Sequence, residues 1–277
     1  MKIKYDRVSF SYKSTDALKN ISCEFESGST VLIAGHNGSG KSTFLKLMNG
    51  ILKPTNGSVY LGEAATKDKR ISELASRCAL SFQNPDDQLF AATVRKELRF
   101  GTENIKGDDS LFDPVVKTLQ LRDHLEANPY SLTYALRRLV AIAGSAAMNT
   151  PILALDEPTA GLSLREKSFL GDLISLLKGM KKTIAIVTHD LNFLLPFADS
   201  LLMLAHGEIQ YSGSRDGLFT RDDARALLTR CGINYPIYTR ISKALDLDKQ
   251  CFNAEEILDE LIKKRAGAAP VPTSYSQ

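Results

Sequence analysis

The stretch that decides the fold reads VLIAGHNGSGKST and runs from Val31 to Thr43. The apolar run Val31–Ala34 predicts a buried strand, and Gly35–Thr43 is a complete Gly-x-x-x-x-Gly-Lys-Ser phosphate-binding loop. The residues that follow, Phe44–Met48, predict a helix. In such a strand–loop–helix unit, backbone N–H groups and the helix N-terminus face the phosphates of a nucleotide. A glycine-rich turn that binds nothing is the alternative, and the flanking strand and helix argue against it.

The loop therefore predicts a site for a nucleoside triphosphate. Lys41 is expected to reach the β- and γ-phosphates, and the Ser42 hydroxyl is expected to ligate Mg²⁺. The predicted binding residues of the loop are Gly35, His36, Asn37, Gly38, Ser39, Gly40, Lys41, Ser42 and Thr43.

Composition places the chain among ordinary soluble globular proteins and excludes several other classes. It has 277 residues, of which 43% are hydrophobic and 24% charged. The net charge of +3 is too small to indicate nucleic acid as a partner, and no basic cluster is interleaved with aromatic residues. No apolar stretch approaches the roughly 20 residues of a membrane helix. Zinc ligation or a disulfide framework is not expected from the widely spaced cysteines Cys23, Cys78, Cys231 and Cys251.

Short apolar runs separated by helical patterns predict an α/β fold with a mostly parallel sheet. The runs Ala79–Phe82, Ile152–Leu155 and Thr183–Thr188 resemble the first buried strand. Two N-terminal segments, Ile3–Tyr12 and Ile21–Phe25, alternate instead like half-buried antiparallel strands. We therefore expect a doubly wound core with an additional antiparallel part at its N-terminus.

The same patterns divide the chain into segments. Residues 1–214 are expected to form the core domain, with a helical lobe inserted at about 84–148. From Arg215 the pattern changes to short amphipathic helices, which predicts a helical extension over 215–265. The remaining residues, 266–277, are expected to be disordered because they contain two prolines and small polar residues.

Polar residues follow several of the predicted core strands, at the edge where open α/β sheets bind ligands. Asp156 is expected to hold Mg²⁺, and Glu157 to orient the attacking water. His189 is expected to contact the γ-phosphate and to hold Glu157 and the water, and Gln83 is expected to ligate Mg²⁺ and sense that water. A purely structural role is the alternative for each residue taken singly.

These elements together resemble the ATP-binding cassette (ABC) ATPases, across roughly Lys2–Gly213. The matching segments are GHNGSGKST, the glutamine at Gln83, ILALDEPTAGL at Ile152–Leu162 and VTHD at Val187–Asp190. The resemblance implies ATP and Mg²⁺ as cofactors and ATP hydrolysis as the reaction. It also implies that Tyr12 stacks on adenine, for which ordinary strand packing is the alternative.

A narrower resemblance follows Gln83. The segment FQNPDDQLFAATVRKELRFG, Phe82–Gly101, is similar to the ATPases of energy-coupling factor transporters, which take up vitamins and cobalt or nickel ions in prokaryotes. This implies a position on the cytoplasmic face of the membrane, with a transmembrane subunit and a substrate-binding membrane subunit as partners. Asp86–Leu98 is then the expected docking wall, with Asp86 and Asp87 available for basic residues of the membrane subunit. A solvated turn or helix cap is the alternative for these two aspartates.

The chain departs from the ABC pattern at the signature Leu-Ser-Gly-Gly-Gln, which in this family contacts the ATP of the opposite subunit. Residues Leu132–Leu136 read LTYAL, and Ser-Gly-Gly occurs nowhere in the sequence. Glycines at these positions let backbone amides approach the γ-phosphate. The aspartate that usually follows Thr-Ala-Gly-Leu is also replaced, by Ser163.

Both departures fall on the surface that serves a partner's ATP, whereas the residues that serve the chain's own ATP are intact. We therefore expect a heterodimer with a second ABC ATPase that carries an intact signature. The helices around Ala224–Leu228 and Ala254–Ile262 could extend the dimer contact or pack on their own domain. A homodimer, a soluble ABC ATPase that acts on ribosomes or DNA, and a regulatory subunit without turnover are the alternatives.

Overall fold

A six-stranded sheet forms the centre of the computed structural model, which describes residues 1–267. Its strand order is β10-β9-β3-β8-β7-β6, and all neighbours are parallel except the β9–β10 pair. Every residue of β3, β7 and β8 is buried, as expected for apolar strands covered on both faces. The strands are β3 (Thr30–Ala34), β6 (Cys78–Ser81), β7 (Ile152–Asp156), β8 (Thr183–Thr188), β9 (Ser200–Ala205) and β10 (Glu208–Ser214).

A second, antiparallel sheet lies at the N-terminal part of the chain, as the alternating pattern predicts. It has the order β2-β1-β4-β5. Its apolar residues join the first helix of the phosphate loop and one face of the central sheet in a shared core. Tyr5 shows this packing, because its ring stacks on Phe44 with centroids 4.0 Å apart and its hydroxyl donates to the Phe44 carbonyl at 2.7 Å. The strands are β1 (Ile3–Tyr12), β2 (Thr15–Phe25), β4 (Asn56–Leu61) and β5 (Ala64–Ala65).

Helices cover the other face of the central sheet and form the lobe between β6 and β7. The lobe carries three α-helices and several 3₁₀ turns, and its core is continuous with that of the central sheet. The helices of the core and lobe are α1 (Lys41–Met48), α2 (Ile71–Ala75), α3 (Val94–Ile105), α4 (Phe112–Thr118), α5 (Tyr134–Ala147), α6 (Leu164–Gly179) and α7 (Leu191–Leu194).

Four further helices follow β10: α8 (Arg215–Phe219), α9 (Ala224–Arg230), α10 (Ile237–Ala244) and α11 (Ala254–Gly267). Leu227 and Leu228 are buried, so α9 packs on its own domain, whereas Leu258 of α11 remains exposed. Just after α9, the backbone of Gly232 packs closely against the phosphate loop. A Cβ added to Gly232 would lie only 2.8 Å from Cβ of His36.

The predicted C-terminal tail lies almost wholly outside the described residues. Residues 266 and 267 complete α11, and nothing beyond them is described. Within residues 1–267 no helix combines the length and the apolar character that crossing a membrane requires. All four cysteines are free thiols.

Candidate nucleotide-binding and hydrolysis site

The polar residues predicted from the strand ends meet at one edge of the central sheet. Because β3, β6, β7 and β8 are parallel, their carboxyl ends lie side by side. A cavity of about 570 Å³ opens at this edge. It is lined by Tyr12, Asn37, Gly38, Gly40, Lys41, Ser42, Thr43, Gln83, Asp156 and Glu157, together with Thr15, Asp16, Ala17 and Val187.

The phosphate loop is compact and preorganised. Gly40 has φ 102°, in the left-handed region where glycine is preferred, and leads directly into α1. The ammonium group of Lys41 donates to the carbonyls of Gly35 at 2.7 Å and His36 at 2.9 Å, which closes the loop around it. Ser39, within the loop, is fully buried. Burial lowers the pKa of Lys41, and the carboxylates of Glu157 and Asp156 oppose this shift.

Gly35 has no room for a side chain. A Cβ added there would lie 2.2 Å from the Leu204 carbonyl oxygen and 2.6 Å from Oγ of Ser39. Gly35→Ala is therefore expected to lower the free energy of unfolding by about 1–3 kcal/mol, as overpacked substitutions do. It should also weaken ATP binding, because the loop must shift away from β9.

Thermal unfolding and titration with a fluorescent ATP analogue measure both effects of Gly35→Ala. Gly179→Ala, at the end of α6, is the matched control because a Cβ there meets nothing within 4 Å. Equal stability and affinity of the two variants would contradict the tight packing at Gly35.

Asp156 has the properties of a cation ligand. Its carboxylate is buried at the end of β7, and its Oδ1 atom has no hydrogen-bond partner. A buried acceptor without a partner is costly unless an ion or water completes it. Burial raises the pKa of this carboxyl, and a hydrogen bond from the Ser42 hydroxyl opposes the rise. Asp156 and Ser42 thus supply adjacent oxygen ligands of the kind that Mg²⁺ prefers.

Glu157 is held at the edge of the cavity by its backbone and by His189. Its φ is 49°, which is uncommon for a residue with a side chain, and its N–H donates to the Val187 carbonyl at 2.9 Å. Nδ1 of His189 lies 2.8 Å from Oε2 of Glu157, and the His189 N–H donates to the same oxygen at 3.3 Å. The predicted Glu157–His189 pair is therefore present, with the buried carboxylate beside an exposed imidazole.

Gln83 and Tyr12 lie at the rim of the same cavity. Gln83 is exposed, two residues after the end of β6. The residue Tyr12 is 46% exposed. Its ring contacts Phe10 edge-on with centroids 4.8 Å apart, and its hydroxyl accepts a 3.4 Å hydrogen bond from the Thr43 hydroxyl. Both packing and adenine stacking are compatible with this position.

Sequence reasoning missed Arg138, which the structure places directly behind the site. Its side chain is fully buried in the second turn of α5. The guanidinium donates to four backbone carbonyls, those of Phe82, Gln83 at 2.6 Å, Asp156 and Glu157 at 2.8 Å. One signal was available: Arg138 precedes Ala141 and Ile142 by three and four residues, so it shares their apolar helix face.

The altered signature segment Leu132–Leu136 begins α5. Thr133 is the N-cap, and its hydroxyl accepts from the Leu136 N–H at 3.3 Å. The ring of Tyr134 lies against Gly161, since a Cβ added to Gly161 would be 2.6 Å from Cε1 of Tyr134. Tyr134 thereby places a ring at the start of α5, where a glycine would have no side chain.

The altered residue Ser163 has a structural role at the start of α6. Its hydroxyl accepts from the Glu166 N–H at 3.5 Å, and its own N–H donates to the Glu166 carboxylate at 2.7 Å. Serine and aspartate are both good N-caps, so the exchange keeps the cap and removes only the negative charge.

In the lobe, Asp86 lies 3.5 Å from Arg137, so one of the two predicted docking aspartates already has a partner.

Comparison with known proteins agrees with this geometry. The family model described as ABC transporter matches residues 18–160. An energy-coupling factor transporter ATP-binding protein EcfA2 of Lacticaseibacillus paracasei is 33% identical, with 96% of this chain and 99% of the relative covered. The EcfA2 of Halalkalibacterium halodurans is 35% identical, with 90% and 93% covered.

Solved structures of ABC ATP-binding proteins also resemble this chain. The cbiO1 protein of Clostridium perfringens, part of the ABC transporter complex cbiONQ, superposes with a TM-score of 0.68 at 29% identity, covering 88% of this chain and 98% of that one. A dimeric ATP-binding cassette in a post-hydrolysis state with ADP and Pi gives 0.70 at 27% identity, covering 77% and 98%. The α/β fold is thus confirmed, and the chain belongs to the ABC transporter ATP-binding proteins, of the energy-coupling factor type, which makes it an ATPase coupled to transport.

Proposed function

We propose that this chain is the Mg²⁺-dependent ATPase of a prokaryotic energy-coupling factor importer for a vitamin or a transition-metal ion. It would lie on the cytoplasmic face of the membrane, together with a transmembrane subunit and a substrate-binding membrane subunit, and without nucleic acid. The observation that carries this proposal is the single cavity that combines the phosphate loop with Gln83, Asp156 and Glu157.

Each of the predicted site residues has a role in this proposal. Ser42, Gln83 and Asp156 would hold Mg²⁺, which neutralises negative charge on the phosphates when bound. Glu157 would accept a proton from the attacking water and orient it. His189 would hold the Glu157 carboxylate through the 2.8 Å contact. The loop and Lys41 would bind the phosphates, and Tyr12 would stack on adenine.

The proposal also includes an asymmetric heterodimer between this chain and a second ABC ATPase. The groups that face the chain's own ATP are complete, whereas those expected to face the partner's ATP carry Tyr134, Ala135, Leu136 and Ser163. In this proposal the Tyr134 side chain, which lies against Gly161, fills space at the start of α5 that a glycine would leave open to the partner's phosphate. The second ABC ATPase would supply an intact Leu-Ser-Gly-Gly-Gln signature to the site at Gly35–Thr43.

The docking wall Asp86–Leu98 is the proposed contact with the transmembrane subunit. Asp87 is exposed there. Phe90 within the docking wall forms an exposed aromatic pair with Phe100, and the centroids of the two rings are 4.5 Å apart. Aromatic side chains of this kind are enriched at protein interfaces. Basic residues on the membrane subunit would pair with Asp87.

Copurification from the native host tests which partners are present. The chain is tagged, the membranes are solubilised mildly, and bound proteins are identified. We expect one related ATPase with an intact signature together with small integral membrane proteins. Recovery of the chain alone, or with ribosomal or DNA-bound material, would contradict the proposal.

A repaired signature tests the asymmetry directly. The chain with Tyr134→Gly, Ala135→Gly and Leu136→Gln is expected, as a homodimer, to hydrolyse ATP at least about 10-fold faster than the unchanged chain alone. The reason is that single preorganised donors to a developing charge contribute about 10²–10³-fold to rate. Steady-state phosphate release measures this.

The control for the repaired signature adds Glu157→Gln, which must abolish the gained hydrolysis if it arises in this chain. An unchanged chain that alone turns over near 10 s⁻¹, about the median for enzymes, would contradict the heterodimer.

A further inference from the structure

We propose that Arg138 is a positioning residue for ATP hydrolysis, which holds the backbones of Gln83 and Glu157 in their working positions beside the cavity. Arg138 itself is not among the residues that line the cavity. It acts through the carbonyls of the residues whose side chains line that site.

The first argument is the set of hydrogen bonds. Arg138 donates to Phe82 and Gln83 with one terminal nitrogen, and to Asp156 and Glu157 with the other. Its planar fork therefore joins the ends of the two adjacent strands β6 and β7. These are the points where the chain turns out of the sheet and presents its polar side chains.

The second argument is that all four acceptors are backbone carbonyls. A carboxylate partner would neutralise the guanidinium more strongly, and Asp156 and Glu157 are both near. Neither carboxylate accepts a hydrogen bond from Arg138: Oδ1 of Asp156 has no partner, and Oε2 of Glu157 contacts His189 instead. Arg138 thus fixes the backbone without occupying the groups expected to bind Mg²⁺ and water.

The third argument is the conformation of Glu157. A φ of 49° for a residue with a side chain persists only where the surroundings determine it. The Glu157 N–H is bound by the Val187 carbonyl and its carbonyl by Arg138, so both of its peptide groups are held. Without Arg138, the Glu157 carbonyl would keep only the hydrogen bond from the Ala160 N–H.

The position of Arg138 on α5 gives this role a further consequence. The residue lies one turn after Tyr134, in the helix whose N-terminus is expected to face the partner's ATP. A movement of α5 therefore shifts the donor that holds Gln83 and Glu157. This part rests on the proposed dimer, whereas the positioning role rests only on the ATPase reaction.

Arg138→Lys and Arg138→Met test the proposal in the full transporter complex. Displacement of catalytic groups by about 1 Å can cost about 10²-fold in rate. We therefore expect kcat for ATP hydrolysis to fall about 10- to 100-fold, while the affinity for a fluorescent ATP analogue changes less than about 2-fold because the phosphate loop is untouched. Arg138→Lys keeps the charge and should retain more activity than Arg138→Met. If Arg138→Met does not fold, Arg138→Lys decides the question.

Arg215→Lys is the matched control. Arg215 is also a largely buried arginine, and it donates to the carbonyls of Leu195 and Pro196 outside the site. This variant should lose stability without a change in kcat. A double-mutant cycle of Arg138→Lys with Gln83→Ala adds a second readout, because a shared role makes the two losses in kcat non-additive.

Unchanged kcat in Arg138→Lys, or equal kcat losses in Arg138→Lys and Arg215→Lys, would overturn the positioning role. Strictly additive losses in the cycle would overturn it as well. The failure of the proposed function is separate, since it would appear as absent hydrolysis in the complex with the unchanged chain.

Discussion

Glu157→Gln is expected to lower ATP hydrolysis by about 10²- to 10⁴-fold, the range for loss of a general base. The amide has nearly the same shape as the carboxylate, but it does not accept a proton from water. ATP binding should persist, because the loop and Lys41 are unchanged and the Glu157 side chain contacts His189 rather than the phosphate loop. Hydrolysis is measured by phosphate release from the complex, and binding by titration with a fluorescent ATP analogue.

Glu24→Gln is the control for this change. Glu24 lies on β2 and forms a surface ion pair with Lys2, with the two groups 2.5 Å apart. A surface pair of this kind contributes little, so the variant should keep full hydrolysis. Unchanged hydrolysis in Glu157→Gln would remove Glu157 from the role of base and leave water orientation to other groups.

Lys41→Met is expected to weaken ATP binding about 100-fold, because truncating one partner of a buried charge pair costs about 2–5 kcal/mol. The ammonium group of Lys41 is buried and already closes the loop through the carbonyls of Gly35 and His36. Methionine fills much of the same space but offers neither charge nor donors. Titration with a fluorescent ATP analogue gives the affinity.

Lys46→Met provides the comparison for Lys41→Met, since Lys46 lies in the last turn of the same helix and outside the cavity. Its affinity for the analogue should match that of the unchanged chain. If both lysine variants bound ATP equally well, the proposed contact of Lys41 with the phosphates would be wrong.

The central sheet could be predicted because its strands are short apolar runs, three of which are followed by a polar residue: Gln83, Asp156 or His189. Burial on both faces demands that pattern, so Val31–Ala34, Ile152–Leu155 and Thr183–Thr188 all fall within observed strands. The two-residue strand β5 could not be predicted, since Ala64–Ala65 has no pattern of its own and exists only by pairing with β4. Within the lobe, only the helical character was predictable.

The candidate site divides in the same way. The phosphate loop could be predicted from its Gly-x-x-x-x-Gly-Lys-Ser pattern. Asp156, Glu157 and His189 could be predicted because they end or directly follow apolar strands. The sequence shows only that Arg138 shares the apolar face of α5, because its role depends on how α5 packs against the ends of β6 and β7. The ring of Tyr134 on Gly161 is likewise a contact between distant segments. Such tertiary contacts are set by the assembled fold and are absent from any window of the sequence.

The contact between Gly232 and His36 joins the C-terminal extension to the phosphate loop within a single chain. Thermodynamic reciprocity then applies: if ATP changes how firmly the extension is held, a ligand that holds the extension changes ATP affinity by the same factor. Under that condition, the region after β10 both packs on the phosphate loop and changes the affinity of the loop for ATP. In that case, a molecule that binds the extension changes the affinity of the site for ATP without entering the nucleotide cavity.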